Sequence, residues 1–261
     1  MRLLICNDDG VFALGIKTLA DTLAAAGHSV TVVCPDRERS ATGHGLTLHR
    51  PLHANPVHGV FDSRVVAWTC TGTPSDCVKL ALNAILDSPP DAVLSGINHG
   101  PNLGTDVLYS GTVSAAMEGV IEGLPGIAVS LADFGARDFQ PAADFVLTLL
   151  AELQANPLPS GTLLNVNVPP LAADELQGWV WARQGLRRYR EQFDRRTDPR
   201  GRVYYWLAGE AIEEEQRPCA SGHITDVEAI RQGRITVVPL QCDLSHYSLL
   251  QSLPTAEHVQ G

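Results

Sequence analysis

Asp8 and Asp9 stand side by side at the end of the first apolar run, Leu3-Leu4-Ile5-Cys6, and Gly10 follows them. Adjacent like charges repel, and turn chemistry needs only one Asp or Asn. A cation relieves that repulsion, so the Asn7–Gly10 turn reads as the anchor of a divalent metal site. The alternative is a lone helix cap at Asp8 beside a solvated Asp9. The other loops tip the balance. Ser40 offers a hydroxyl after the second apolar run, and Asn98 offers an amide after a later one. Two carboxylates with two neutral oxygens make a hard site, suited to one Mg²⁺ or Mn²⁺ rather than zinc. Taken singly, Ser40 is a turn hydroxyl and Asn98 a loop residue bonding its own backbone.

Ser110-Gly111-Thr112 carries a second chemistry. Glycine allows close backbone approach, and N–H groups at a helix start face outward as anion donors. Opposite a metal loop the step reads as a phosphate cradle; alone it reads as a capped helix start. No G-x-G-x-x-G or P-loop is present, which weakens dinucleotide and NTPase readings.

These residues need a scaffold that brings distant loops to one edge. Apolar runs at residues 3–6, 30–34, 65–70, 92–94, 127–131 and 163–168 read as strands. Helical spacing links several of them: Ile16, Leu19, Ala20 and Leu23 before Gly27, and Val78, Ala81, Leu82 and Ile85 after Thr73-Pro74. Two more helices are expected, from Ser110–Thr112 to Gly123 and over residues 142–155. Such alternation predicts an α/β fold, a mainly parallel sheet covered by helices on both faces. Ligands then collect at the carboxyl ends of the strands, where the candidate residues lie.

Two stretches break the rhythm. Residues 47–61 hold Pro51 and Pro56 and read as an inserted ribbon or loop. Residues 183–202 hold eight of the seventeen arginines and three acids between aromatic strand material, which suggests a projecting hairpin. A short helix at 226–231, a strand at 235–240 and a helix around 247–253 follow. The expected partition is a core over residues 1–170 and a C-terminal hairpin and oligomerisation segment over 171–261, continuous with it.

The 261 residues have the composition of an ordinary globular protein, and the net charge of −10 argues against a general nucleic-acid or anionic-membrane binder. No apolar stretch spans a bilayer, and the N-terminus does not read as a signal peptide. The six cysteines (6, 34, 70, 77, 219 and 242) lack C-x-x-C spacing and read as reduced thiols of a cytoplasmic protein.

In combination, five motifs resemble the SurE survival-protein nucleotidases. They are Asn7-Asp8-Asp9-Gly10; Pro35-Asp36-Arg37 with Arg39-Ser40; Gly72-Thr73-Pro74-Ser75-Asp76-Cys77; Ser95-Gly96-Ile97-Asn98 with Gly100-Pro101-Asn102-Leu103-Gly104; and Tyr109-Ser110-Gly111-Thr112-Val113 with Ala115-Ala116-Met117-Glu118-Gly119. The likeness is dense over residues 1 to about 170. It implies a metal-dependent phosphatase acting on nucleoside 5′- and 3′-monophosphates, and on short polyphosphate in some members. It maps the metal ligands onto Asp8, Asp9, Ser40 and Asn98, with Asp8 and Asp9 catalytic. Phosphate binding maps onto Asn102, Ser110, Gly111 and Thr112. A Rossmann-like core and a C-terminal part exchanged between subunits, giving dimers or tetramers, are also implied. Two departures stand out: Leu14 in place of a usual proline, and Gly43-His44-Gly45 in place of a more polar loop.

The attacking group is read as water, with direct attack by Asp8 as the other route. Among the histidines, His99 is the nearest candidate for a leaving-group acid, against a plain loop role. The arginine cluster is expected to pair with an acidic neighbouring subunit. Rival readings are a haloacid-dehalogenase-type phosphatase or nucleotide-sugar transferase, both of which want acids separated by one residue, and a non-catalytic nucleotide or metal sensor.

Overall fold

A computed structural model of the chain describes residues 1–213 and 222–253; Cys219 and the end of the proposed C-terminal segment lie outside them. The chain opens with β1 (Arg2–Cys6), α1 (Leu14–Ala25), β2 (Ser29–Pro35), β3 (Ala54–Val57) and β4 (Val66–Cys70). Next come α2 (Pro74–Leu80), β5 (Ala92–His99), α3 (Gly111–Ile121), β6 (Gly126–Leu131), α4 (Gln140–Ala155) and β7 (Leu163–Val168). The last third holds β8 (Trp179–Trp181), β9 (Arg187–Thr197), β10 (Val203–Glu213), α5 (Asp226–Arg231), β11 (Ile235–Leu240) and α6 (Tyr247–Leu250).

One sheet runs in the order β3-β4-β2-β1-β5-β6-β7-β11-β8. Its centre, from β4 to β7, is parallel throughout. Helices α1 and α4 pack together on one face of the sheet, and α2 and α3 on the other. Hence β6 and β7 are buried at every position instead of alternating, as expected where both faces are covered. Counting only the parallel strands, the order is that of a Rossmann-like sheet, and it reverses between β1 and β5. The reversal opens a crevice at the carboxyl ends of those two strands.

Local chemistry explains the elements that frame the crevice. Thr73 and Asp76 form a reciprocal capping box at the start of α2, with Pro74 at its first turn. The helical stripe then continues to Ile85 as a wider π-type turn rather than as regular α-helix. Gly119 brings α3 onto the sheet: a Cβ there would lie 2.5 Å from Val93 Cγ2. Strand β5 outruns its apolar core at 92–94 and reaches His99, with a register irregularity between Ser95 and Asn98. Gly96 sits inside it with φ +133°, where a side chain would strike the Val129 carbonyl. Such irregularities re-aim side chains beside functional sites.

The ribbon expected within residues 47–61 is β3, an edge strand antiparallel to β4. Beyond residue 170 the sheet continues, because β11 joins β7 antiparallel and β8 joins β11. The projecting hairpin is β9–β10, longer than the sequence suggests and closed by a turn in which Asp198 accepts the Arg200 and Arg202 N–H groups. Among the described residues no helix is long and apolar enough to cross a membrane.

Replacing Thr73 by Ala removes the acceptor for the Asp76 N–H. Chemical denaturation of that variant is expected to show a loss of about 1 kcal/mol; unchanged stability would mean that the capping box carries no weight here.

Candidate active site

The crevice is floored by the Asn7–Gly10 turn. Asn7 is buried and folds onto Gly10, donating to its carbonyl (3.0 Å) and accepting from its N–H (3.2 Å). This closes the turn and leaves both carboxylates at the strand end. Gly10 has φ +93°, and a Cβ there would lie 3.0 Å from the Arg37 backbone, so the loop after β2 rests directly on the acidic turn. That loop is tied down again by the Arg39 N–H, which donates to the Asp8 carbonyl at 2.7 Å.

Asp8 is 5% exposed and accepts a hydrogen bond from the Thr112 hydroxyl. Gly111 is packed against it: a Cβ there would stand 2.8 Å from Asp8 Cβ and 3.1 Å from Pro74. The first turn of α3 therefore lies against the first carboxylate, which is what a phosphate cradle opposite a metal loop requires. Asp9 accepts the His99 backbone N–H at 3.1 Å, which draws the end of β5 to the second carboxylate.

Electrostatics single this pair out. Burial pushes the Asp8 carboxyl up, with the Thr112 bond acting against it. Burial, the Asp8 charge and the Glu38 charge together raise Asp9 to about 6, against the His99 bond. No cationic side chain among the described residues forms an ion pair with either. Like charges on a buried and a half-buried carboxylate, without a counter-charge, are the arrangement that a divalent cation resolves. No three His, Cys, Asp or Glu side chains of the described residues converge on one point, so such an ion needs neutral oxygens as well. The donor set fits a hard cation.

Each of the two neutral candidates is next in the chain to a residue whose backbone N–H touches the acidic turn. Ser40 follows Arg39 directly, and its hydroxyl donates to Glu38 at 2.6 Å. Asn98 precedes His99; its amide N–H donates to the Gly100 carbonyl at 2.9 Å. Asn98 thus lies on a strand end rather than in a loop. Ser110 accepts from the Val113 N–H and caps α3. Asn102 is buried beside Asn165, Asn167 and Ser130. Its carbonyl accepts from Asn165 and Asn167, and its side chain donates to Ser130 at 2.8 Å, a buried amide network under the loop.

Several contacts escape sequence reading. Glu38 partners Ser40 and burdens Asp9. The Thr112 bond joins residues more than a hundred positions apart. His44 Nε2 lies 2.7 Å from Glu118 Oε2. Arg187 pairs with Asp106 at 2.6 Å, and Tyr189 donates to the same carboxylate, so the hairpin base grips the turn just before Ser110. Arg196 pairs with Asp194 and Arg202 with Asp198. Part of the arginine cluster is therefore satisfied within the chain, where a neighbouring subunit was expected to serve. His99 has an arginine nitrogen of Arg137 2.5 Å from its ring and packs edge-on to Phe139. The thiols Cys6, Cys34, Cys70 and Cys77 are free and buried, and burial pushes Cys34 and Cys77 well up, which keeps them protonated.

Without metal, the raised carboxyls penalise the folded state once ionised. The penalty is absent below the unfolded pKa near 4 and grows to about pH 6, where Asp9 loses its proton. Denaturation in EDTA is thus expected to show stability falling from pH 4 to 7. The fall should be smaller in Asp9→Asn and in Mn²⁺. Identical pH profiles for the two proteins would refute this electrostatic account.

The model of the family described as survival protein SurE matches residues 3–191. A protein of Gloeothece citriformis named 5′-nucleotidase SurE is 63% identical over 249 residues, covering 94% of this chain and 92% of its own. One of the same name from Synechococcus elongatus is 63% identical over 254 residues, covering 97% and 98%. The crystal structure of the SurE protein from Aquifex aeolicus superposes with a TM-score of 0.79 at 40% identity, covering 97% of this chain and 98% of that one.

Proposed function

We propose, from the premise that this chain belongs to the SurE family, that it is a divalent-metal-dependent 5′-nucleotidase releasing phosphate from nucleoside monophosphates. The observation that carries this reading is the contact of Asp8 with Gly111 and Thr112, which sets an unpaired acidic turn against a helix N-terminus. Nucleoside 3′-monophosphates and short polyphosphate present the same terminal phosphate and belong to the proposed substrate range.

Asp8, Asp9, Ser40 and Asn98 would hold one Mn²⁺ or Mg²⁺ per subunit. Such an ion, when bound, supplies charge for the phosphoryl oxygens and a more acidic water. The chain's own groups do the rest. The amides at the start of α3 and the Ser110 hydroxyl orient the phosphate, Thr112 belongs to the same turn and holds Asp8 through its own hydroxyl, and Asn102 braces the loop that faces them. Asp9 orients the attacking water in line with the leaving oxygen. Phosphoryl transfer asks mainly for positioning and preorganised charge, and both are built into rigid elements here. Asp8 attack at phosphorus is the weaker route, since its carboxylate is taken up by Thr112 and by the ion it would hold.

Residues 1–170 carry the site, and residues 171–261 serve assembly, in a homodimer or homotetramer with an exchanged C-terminal segment. Phe193, Tyr205 and Leu207 share one face of the hairpin and are exposed, as are Leu244, Tyr247, Leu249 and Leu250. An apolar face on a basic arm, in a chain of net charge −10, suits a second copy of the same chain. The reduced thiols accord with a cytoplasmic setting.

Asp8→Asn is expected to lower kcat for AMP with Mn²⁺ by at least about 10²-fold, and EDTA to abolish phosphate release until Mn²⁺ is restored. Near-normal turnover of the variant, or tight AMP binding without phosphate release by the native protein, would overturn the reading; the second result would favour a nucleotide sensor. Sedimentation of the native protein as a single chain would overturn the assembly.

A further inference from the structure

Residues 41–47 form an exposed loop that leaves the Ser40 region and crosses the first turns of α2 and α3. Ala41 has φ +55°, the left-handed conformation that costs a non-glycine residue about 1–2 kcal/mol, and among the described residues no other non-glycine position adopts it. Something must hold so exposed a segment in that shape. The Gly43 N–H donates to the Tyr109 carbonyl at 3.0 Å, one residue before Ser110. The Thr73 hydroxyl donates to the Gly45 carbonyl at 2.7 Å, and the Thr47 N–H donates to Asp76 at 3.0 Å.

His44 attaches the loop by its side chain. Its Nε2 lies 2.7 Å from Oε2 of Glu118, a carboxylate 2% exposed in the middle of α3. Lys79 of α2 approaches the other oxygen of Glu118 at 2.7 Å and also reaches Glu122 at 2.8 Å. A carboxylate so buried requires charged or hydrogen-bonding partners. Helix α2 supplies one, and the loop supplies the other. Helix α3 thus carries the phosphate turn at its start and, two turns later, the anchor for the loop beside it.

The metal-side end of the same segment is fixed separately. Arg39 binds the Asp8 carbonyl through its N–H and the Thr71 carbonyl through its guanidinium at 2.9 Å, and Ser40 is bonded to Glu38. Loosening residues 41–47 therefore need not displace the proposed ion. The loop meets the chain at Tyr109, whose ring is exposed beside the start of α3, so both are placed to receive the organic part of a substrate whose phosphate is held at that helix start.

We propose that His44 is a positioning residue that clamps residues 41–47 to Glu118, making the loop the wall that receives the nucleoside part of the substrate. This rests on the nucleotidase reading above. The experiment compares native protein, His44→Ala and His44→Gln, whose amide N–H can replace the Nε2 donor. The substrates are AMP and p-nitrophenyl phosphate, which has no nucleoside, both with Mn²⁺.

Losing one hydrogen bond to a charged group is expected to raise KM for AMP about tenfold in His44→Ala, with kcat and the KM for p-nitrophenyl phosphate within about twofold. Gln should restore most of the AMP value. Equal losses on both substrates, a fall in Mn²⁺ affinity, or an unchanged KM for AMP would overturn the proposal. Hydrogen–deuterium exchange at residues 41–47, with and without AMP, reads the clamp without turnover. Exchange should rise in His44→Ala, and AMP should protect the loop of the native protein. Unchanged exchange refutes the clamp, and absence of AMP protection refutes the wall. If the native protein cleaves neither substrate, the nucleotidase reading fails by itself, and exchange still decides the role of His44.

Discussion

Two neighbouring carboxylates are held in a buried turn without a counter-charge, and much of the surrounding architecture is arranged around that repulsion. Asp8 and Asp9 cannot separate, because Asn7 locks the turn on itself and Gly10 packs against the loop after β2. They cannot both turn to bulk water either, since α3 lies on the first and the end of β5 on the second. Burial raises both carboxyls, and at Asp9 the Asp8 charge adds to the rise. A protein selected for stability alone would replace one of them. Their presence side by side in this crevice is what the proposed cation accounts for.

The sheet makes such a crevice available. Where strand order reverses between β1 and β5, neighbouring connections leave toward opposite faces and a gap opens at the carboxyl ends. Into it come the acidic turn, the bulged end of β5 and the first turn of α3. None of these carries a complete site, and each is rigid for a local reason. Asn7 ties the turn, the Gly96 irregularity aims the strand end, and Ser110 caps the helix. The buried amides of Asn102, Asn165 and Asn167 with Ser130 stiffen the loop between strand and helix, so the walls keep their spacing. Through Arg187 and Asp106 the hairpin base touches the same loop, placing the region proposed for assembly in mechanical contact with the turn proposed to bind phosphate.

Much of this was legible in the residues. The apolar runs marked the parallel strands, and Gly27, Thr73-Pro74 and Ser110 marked helix boundaries, because caps and breakers act within a few residues of where they stand. Where the local signal is mixed, the element is only partly marked. The apolar run at 92–94 marks the core of strand β5; its polar end at Asn98-His99 is strand because β6 pairs with it. The stripe to Ile85 gives a helix, but its last turn is a wider π-type turn. The arginine-rich stretch announced a hairpin and gave no hint that Arg187 would find Asp106.

The sequence by itself determined the chemistry on offer: an adjacent acid pair, hydroxyl and amide donors after successive strands, and a glycine at a helix start. It also determined the alternating α/β order, since hydrophobic period and capping are short-range properties of the chain. Only the tertiary structure decided which donors meet. The Thr112 bond to Asp8, the Gly111 contact beneath it, and the His44 bond to Glu118 each join residues far apart in the chain. Such contacts depend on strand order and helix seating, which arise from packing the whole core and leave no mark at the positions involved.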